Sequence, residues 1–244
     1  MESKPIDITL ASTILPREIW QRIQVIRTRF MDEMRCGPHM TFVEPFVPKG
    51  KFLYNLLHPK YLRNTLVEEI PLAAALLKEE FKNFPPFKVK FTKFNYFVFP
   101  KSSVLYLEPE CEPINAIQLM KSKLIQLFPN CNDRAKRSGE YVPHLSLARF
   151  KNEEECKKYK VLLEEKWETV EYTVKEIYLL WRTTINPTEV QYVVPLGNDV
   201  TPPHYGPLSK KNDNSKLERT VVILSLPRKL SDSDLMEMLT KVFR

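Results

Sequence analysis

Glycine is scarce in this chain, with only 5 among 244 residues. Neither a GxGxxG nor a GxxxxGK[ST] pattern occurs. Dinucleotide- and triphosphate-binding folds use such loops because glycine lets backbone amides approach phosphate groups closely. The sequence therefore argues against a glycine-rich phosphate loop.

The four cysteines, Cys36, Cys111, Cys131 and Cys156, are far apart and form no C-x-x-C pair. This spacing argues against a zinc ribbon or a disulfide framework and fits a reducing compartment. The first ten residues lack the basic start and apolar run of a signal peptide. No uncharged apolar run approaches the roughly 20 residues that a membrane span needs. We therefore expect a cytoplasmic or nuclear protein with no membrane partner.

Charge is unbalanced toward the basic side, with 37 Lys and Arg against 30 Asp and Glu, a net charge of +7. A basic balance suits a polyanion such as RNA or a phosphate-bearing ligand. A charge that only keeps the protein soluble explains the same numbers equally well. The 43% hydrophobic and 27% charged content is that of a soluble globular protein.

Apolar residues recur at helical or strand spacing along most of the chain. Helices are predicted at 16–34, 66–83, 113–128 and 152–167, a loop at 47–65, and strands at 6–14, at two histidine-containing segments, in a hairpin over 87–109, near 170–182 and near 188–196. The hairpin is expected to turn at Pro100 to Ser103. In the third helix Ile114, Ile117, Leu124 and Phe128 are expected on the inner face of an amphipathic helix.

Two of the four histidines stand in one shared pattern, proline, histidine, apolar residue, hydroxyl residue, apolar residue, within GPHMTFVEPF and VPHLSLARF. Side chains alternate between the faces of a strand. His39 and Thr41 should therefore share one face, as should His144 and Ser146, while their apolar neighbours enter the core. A lone histidine on a strand is more often structural, but two matched patterns are harder to explain that way.

The order of elements also repeats. A strand, a helix and a histidine-bearing strand occur over 6–46 and again over 103–150. This repeat predicts two similar lobes, each supplying one histidine strand. If the lobes face each other, two imidazoles and two hydroxyls line one cleft.

Such a set of side chains suits the cleavage of a phosphodiester. An imidazole titrates near neutral pH, so one ring can accept a proton from the attacking oxygen while the other donates one to the leaving oxygen. Each step contributes roughly 10²–10⁴-fold to the rate. The hydroxyls can donate hydrogen bonds to the phosphate oxygens, where negative charge develops. This chemistry requires no metal or other cofactor.

The strings HMTF and HLSL resemble the two H-x-[T/S]-x signatures of the 2H phosphoesterase superfamily, which includes 2′-5′ RNA ligase-like proteins and cyclic phosphodiesterases. The resemblance covers roughly residues 5–196, with the aromatic-rich hairpin between the motifs and a closing strand pair. It implies an α+β fold that is bilobal and pseudo-twofold, with two antiparallel sheets flanking a central cleft and helices outside. It also implies that His39 and His144 are the catalytic pair and that Thr41 and Ser146 bind phosphate.

The resemblance implies a metal-independent phosphodiesterase, a hydrolase acting on RNA or a small ribonucleotide. The bond cleaved would be in a 2′,3′-cyclic phosphate or in a 2′-5′ or 3′-5′ phosphodiester. A role in RNA processing and a monomeric state are expected, with no DNA partner. The alternative is a non-catalytic nucleotide- or RNA-binding module on the same fold.

Other residues are weaker candidates. Tyr96, Tyr141 and Trp181 could stack on a base, although core packing explains each of them as well. Arg149 follows His144 by five positions, so an ideal strand sends it to the far face, where a structural salt bridge is expected. His58 and His204 lie in loop-like segments and are interpreted as solvated.

Two rival chemistries use Cys36. With His39 and His144 it could bind zinc, but no ligand pair has the short spacing of usual zinc sites. As a nucleophile, Cys36 has no second signature in support.

The chain is predicted to comprise a 2H phosphoesterase-like domain at 1–197, a linker at 198–219 rich in Pro, Lys, Asn, Asp and Ser, and an appendage at 220–244. The appendage reads as a strand followed by a helix and resembles the beginning of an RNA-recognition motif. It is too short for the four strands of that fold.

Overall fold

The computed structural model describes residues 7–31, 37–46, 69–131, 140–183 and 188–199. Within these ranges the chain forms eight strands and four α-helices. Their bounds are β1 Asp7–Ile14, α1 Arg17–Phe30, β2 His39–Val43, α2 Glu69–Phe81, β3 Phe87–Phe99, β4 Ser102–Glu112, α3 Ala116–Leu127, β5 Leu145–Phe150, α4 Glu153–Lys166, β6 Val170–Val174, β7 Glu176–Thr183 and β8 Glu189–Pro195.

The strands form two four-stranded sheets in which every neighbouring pair is antiparallel. The strand order is β2-β1-β7-β8 in the first sheet and β5-β4-β3-β6 in the second sheet. β2 and β5, the strands of the two histidine segments, each occupy an edge of their sheet. The expected α+β architecture with two antiparallel sheets is confirmed, and the repeats β1-α1-β2 and β4-α3-β5 correspond to its two lobes.

Two of the four helices pack against a strand of the other repeat. α1, from the first repeat, packs against β5 of the second, and α3, from the second, packs against β2 of the first. Their buried positions, such as Ile23 and Ile26 of α1 and Ile117 and Leu124 of α3, join one apolar core. β2 and β5 also contact each other, so the two histidine segments meet where the lobes meet.

The single strand expected near 170–182 is wrong, because the chain breaks there at Lys175 and forms two strands. β6 pairs with β3 in the second sheet, whereas β7 pairs with β1 in the first. Alternate residues are buried along β6, with the polar ones exposed between them. This alternation changes phase across the break, from Val170, Tyr172 and Val174 to Ile177 and Leu179. The change of phase was a signal in the sequence for two strands.

Helix boundaries also differ from the predicted ones. α1 ends at Phe30 rather than at 34, because Met31 has an extended backbone. α3 begins at Ala116 rather than at 113, because Asn115 before it has a left-handed backbone with φ of 66°. Ile114 consequently lies outside the helix and is 80% exposed, so its predicted place on the inner face is wrong.

Several predicted segments lie outside the described residues. They are the loop at 47–65, the appendage at 220–244, and the linker at 198–219 apart from its first two residues. His58, His204 and Cys36 are also outside. Among the described helices, none is both long and apolar enough to span a membrane.

Candidate active site

The first histidine segment follows the expected alternation. His39 and Thr41 of β2 are half-buried, whereas Met40 and Phe42 are 0% and 1% exposed. The two apolar side chains join the core. Because they anchor the strand, the imidazole and the hydroxyl are held on the opposite face.

The second segment repeats this arrangement. His144 directly precedes β5, and Ser146 is half-buried between Leu145 and Leu147, which are both fully buried in the core. The structure thus brings the four candidate residues of the two motifs to two edge strands that contact each other, with His144 directly before its strand.

Both imidazoles make the same hydrogen bond. His39 Nδ1 lies 2.7 Å from the carbonyl oxygen of Gly37, and His144 Nδ1 lies 2.8 Å from that of Val142. A carbonyl oxygen only accepts, so in each ring Nδ1 must carry the proton. In the neutral ring Nε2 is then the nitrogen that can accept a proton, which is the state that a general base requires.

Each histidine strand carries a β-bulge directly after its hydroxyl residue. In β2 the extra residue is Phe42, after Thr41. In β5 it is Leu147, after Ser146. Bulges bend a strand and redirect its side chains, and they are common beside active sites. The matching positions show that the two lobes repeat each other in backbone detail as well as in topology.

Arg149 is placed differently from the sequence prediction. The bulge at Leu147 adds one residue to β5, so the alternation reverses and Arg149 lies on the same face as Ser146. The predicted far-face position is therefore wrong. Its guanidinium donates from Nη1 to Ser102 Oγ at 2.9 Å, so the contact is with a hydroxyl.

Two aromatic rings that the sequence reasoning missed lie beside His144. The ring centroids of Phe97 and Tyr106 are 5.0 and 5.5 Å from that of His144, and 4.3 Å from each other. Burial raises the pKa of Tyr106, so its phenol stays neutral. Tyr106 lies opposite Ser146 in the β4–β5 ladder, and this pairing between distant strands was not visible in local periodicity.

Of the three aromatic residues proposed from the sequence to stack on a base, two face away from the motif residues. Tyr96 lies on the opposite face of β3 from Phe97, and its hydroxyl donates to Glu153 Oε1 at 3.2 Å. Trp181 lies three residues from Tyr178 in β7, so it faces away from the side that carries Thr41.

The third candidate, Tyr141, is brought to the site, but its hydroxyl donates to the backbone carbonyl of Thr41 at 2.8 Å. A second hydrogen bond runs from the first repeat to the second. Arg27 Nη1 of α1 donates to the backbone carbonyl of Ser146 at 2.7 Å. The hydroxyl residue of each motif is therefore held by a side chain from the other repeat.

Metal-ligand side chains do not gather in the described part of the chain, where no group of three or more His, Cys, Asp and Glu residues could hold an ion. Cys36 lies outside this part, so the zinc set that includes it stays a sequence hypothesis. The side chains that the two motifs offer are imidazoles and hydroxyls, which suit proton transfer and hydrogen bonding.

The sequence model of the 2′-5′ RNA ligase superfamily matches residues 15–186, more than half of the chain and both histidine segments. The chain belongs to the 2′-5′ RNA ligase superfamily. This confirms the resemblance to 2H phosphoesterases and indicates an activity of the phosphoesterase or ligase type.

Comparison with solved structures also found a similar protein. The crystal structure of TT0787 of Thermus thermophilus shares 17% sequence identity, with a TM-score of 0.45 over 78% of this chain and 97% of that one. No curated protein sequence gave a significant match.

Proposed function

We propose that this member of the superfamily is a metal-independent phosphodiesterase that acts on RNA or small ribonucleotides. The observation that supports it most is the matched hydrogen bond of His39 and His144, each from Nδ1 to the carbonyl two residues earlier. Two rings with the same fixed tautomer, on contacting edge strands, suit a pair that exchanges the roles of base and acid.

In the proposed reaction on a 2′,3′-cyclic phosphate, one neutral imidazole accepts a proton from water at Nε2. The water oxygen forms a bond to phosphorus as one bond from phosphorus to a ribose oxygen breaks. The other imidazole, protonated, donates its Nε2 proton to that leaving oxygen. Thr41 and Ser146 donate hydrogen bonds to the remaining phosphate oxygens, where negative charge increases.

Two features support a ribonucleotide as substrate. The net charge of +7 favours a polyanionic or phosphate-bearing partner. Phe97 and Tyr106 place aromatic surface beside His144, and aromatic rings stack well on nucleobases. A cyclic nucleotide or a short 2′-5′ or 3′-5′ linked oligonucleotide has both a phosphodiester and a base for these two surfaces.

The test is hydrolysis of 2′,3′-cyclic nucleotides and of 2′-5′ and 3′-5′ dinucleotides in the presence of EDTA, with the products identified. We expect turnover with a bell-shaped dependence on pH, because one ring must be neutral and the other protonated. His39→Ala and His144→Ala should each lower kcat by roughly 10²-fold or more. His58→Ala and His204→Ala are the matched controls and should keep full activity.

Three results would contradict the proposal. Activity that disappears with EDTA would show a metal requirement, and activity retained in both motif variants would remove the histidines from the mechanism. Binding of a nucleotide without turnover of any of these substrates would favour the alternative, a nucleotide- or RNA-binding module.

A further inference from the structure

Arg27 and Tyr141 connect the two motifs at equivalent points. Tyr141 precedes β5 and donates to the carbonyl of Thr41 in β2, at 2.8 Å. Arg27 lies in α1, from the first repeat, and donates to the carbonyl of Ser146 in β5, at 2.7 Å. Thr41 and Ser146 are each two residues after a motif histidine, so both bonds end at the same position of the repeated pattern.

Both donors are held firmly. Arg27 is only 3% exposed. Burial raises the pKa of Tyr141 far above its ordinary value, so its hydroxyl stays protonated and keeps donating. The Nζ atom of Lys121 in α3 lies 3.9 Å from the centroid of the Tyr141 ring, and this contact holds the ring from the side of α3.

The bonded carbonyls belong to edge strands. An edge strand has a row of backbone groups without a neighbouring strand, and buried carbonyls need a donor. Here the donors come from the opposite repeat, so the bonds also fix where β2 lies relative to β5. No ladder hydrogen bond joins these two strands among the described pairings.

We propose that Arg27 and Tyr141 are positioning residues that form a reciprocal clasp and set the separation of His39 and His144. The inference rests on the proposed function, since acid and base must lie on opposite sides of one phosphate. A displacement of about 1 Å in such a pair can lower the rate by about 10²-fold.

Tyr141→Phe tests the clasp with the least disturbance, because it removes the hydroxyl and keeps the ring against Lys121. We expect kcat to fall roughly 10- to 100-fold on the estimate above, with KM changed by less than about threefold. Tyr96→Phe is the matched control, because it removes a hydroxyl that bonds Glu153 on the other face of β3. It should leave kcat unchanged.

Arg27 is tested by comparing Arg27→Lys with Arg27→Met. Lysine retains a donor and should keep most of kcat, whereas methionine should lower it as Tyr141→Phe does. Arg22→Met is the control, since it removes an arginine of the same helix that pairs with Glu168 at 3.5 Å. A fall in thermal stability with unchanged kcat of the folded protein would show a merely structural role and overturn the clasp.

NMR spectroscopy needs no turnover and therefore separates this inference from the proposed function. The imidazole NMR resonances of His39 and His144 should both shift in Tyr141→Phe and stay in place in Tyr96→Phe. Unchanged resonances would overturn the clasp. Inactivity of the wild-type chain on every substrate would count against the proposed function, whereas active wild type with an equally active Tyr141→Phe would count against the clasp alone.

Discussion

At the level of single residues, the candidate site depends on hydrogen bonds between side chains and backbone carbonyls. The carbonyls of Gly37 and Val142 fix the Nδ1 protons of the two histidines. The backbone carbonyls of Thr41 and Ser146 accept bonds from the other lobe, so the proposed roles of their hydroxyls are separate from the roles of their backbones.

This separation gives a prediction for the hydroxyls. Thr41→Val and Ser146→Ala should each lower kcat by about 10²-fold, the usual loss when one donor to a developing negative charge is removed. Thr41→Ser keeps the donor and should retain most of the activity. Steady-state kinetics on a 2′,3′-cyclic nucleotide checks this, and near wild-type kcat in Thr41→Val would show that its hydroxyl does not bind phosphate.

Among the helices and strands, α4 shows how sequence signals set a boundary. Asn152 precedes the helix, and its Oδ1 accepts a hydrogen bond from the backbone N–H of Glu155 at 2.8 Å. This bond satisfies one of the first N–H groups, which have no partner within the helix. Three glutamates in the first turn, at 153–155, add favourable charge near the positive end of the helix dipole.

The cap has a measurable energy. Asn152→Ala should lower the free energy of unfolding by about 1 kcal/mol, because it leaves the N–H of Glu155 without its acceptor. Asn152→Asp retains an acceptor and should stay within a few tenths of a kcal/mol of the wild-type value. Urea denaturation measures both, and equal stability of Asn152→Ala and wild type would contradict the capping role.

In the molecule as a whole, part of the positive charge is compensated locally. On the second sheet Lys93 pairs with Glu110 at 3.0 Å and Lys88 with Glu171 at 3.7 Å. The hydrogen bond from the Lys93 ammonium accordingly lowers the pKa of Glu110. These surface lysines are therefore poor candidates for binding a nucleic acid backbone, and net charge alone does not locate the substrate.

Two tyrosines, Tyr172, which is buried, and Tyr178, which is half-buried, link the stability of the whole molecule to pH. Burial raises the pKa values of Tyr172 and Tyr178 in the folded state, and for Tyr178 a hydrogen bond to Glu176 adds to the shift. The stability that a raised pKa contributes is fully present below the unfolded value of about 10, and it is lost as pH rises from there toward the folded value. The free energy of unfolding should therefore decrease above about pH 10.

Urea denaturation between about pH 8 and 11 measures this decrease, and each such tyrosine contributes at most about 1.4 kcal/mol per pH unit to the slope. Tyr172→Phe and Tyr178→Phe should each flatten the curve, because each removes one group that ionises on unfolding. At the lower end of this range any change in stability should come from packing and from the hydrogen bonds of the removed hydroxyls, such as that from Tyr178 to Glu176. A slope that neither substitution alters would assign the alkaline loss to other groups.

Features that depend on near neighbours in the chain were predictable before the fold was known. Alternation placed His39 and Thr41 on one face of β2, and the repeated strand-helix-strand order predicted two lobes, because periodicity and motif spacing are local properties of the chain.

Features that depend on distant partners emerged with the fold alone. Packing placed the strands before and after Lys175 in different sheets, reversed Arg149 through the bulge at Leu147, and joined Arg27 and Tyr141 to opposite motifs. Strand pairing and side-chain contacts between remote segments are set by how whole elements pack against one another, and no local pattern specifies that packing.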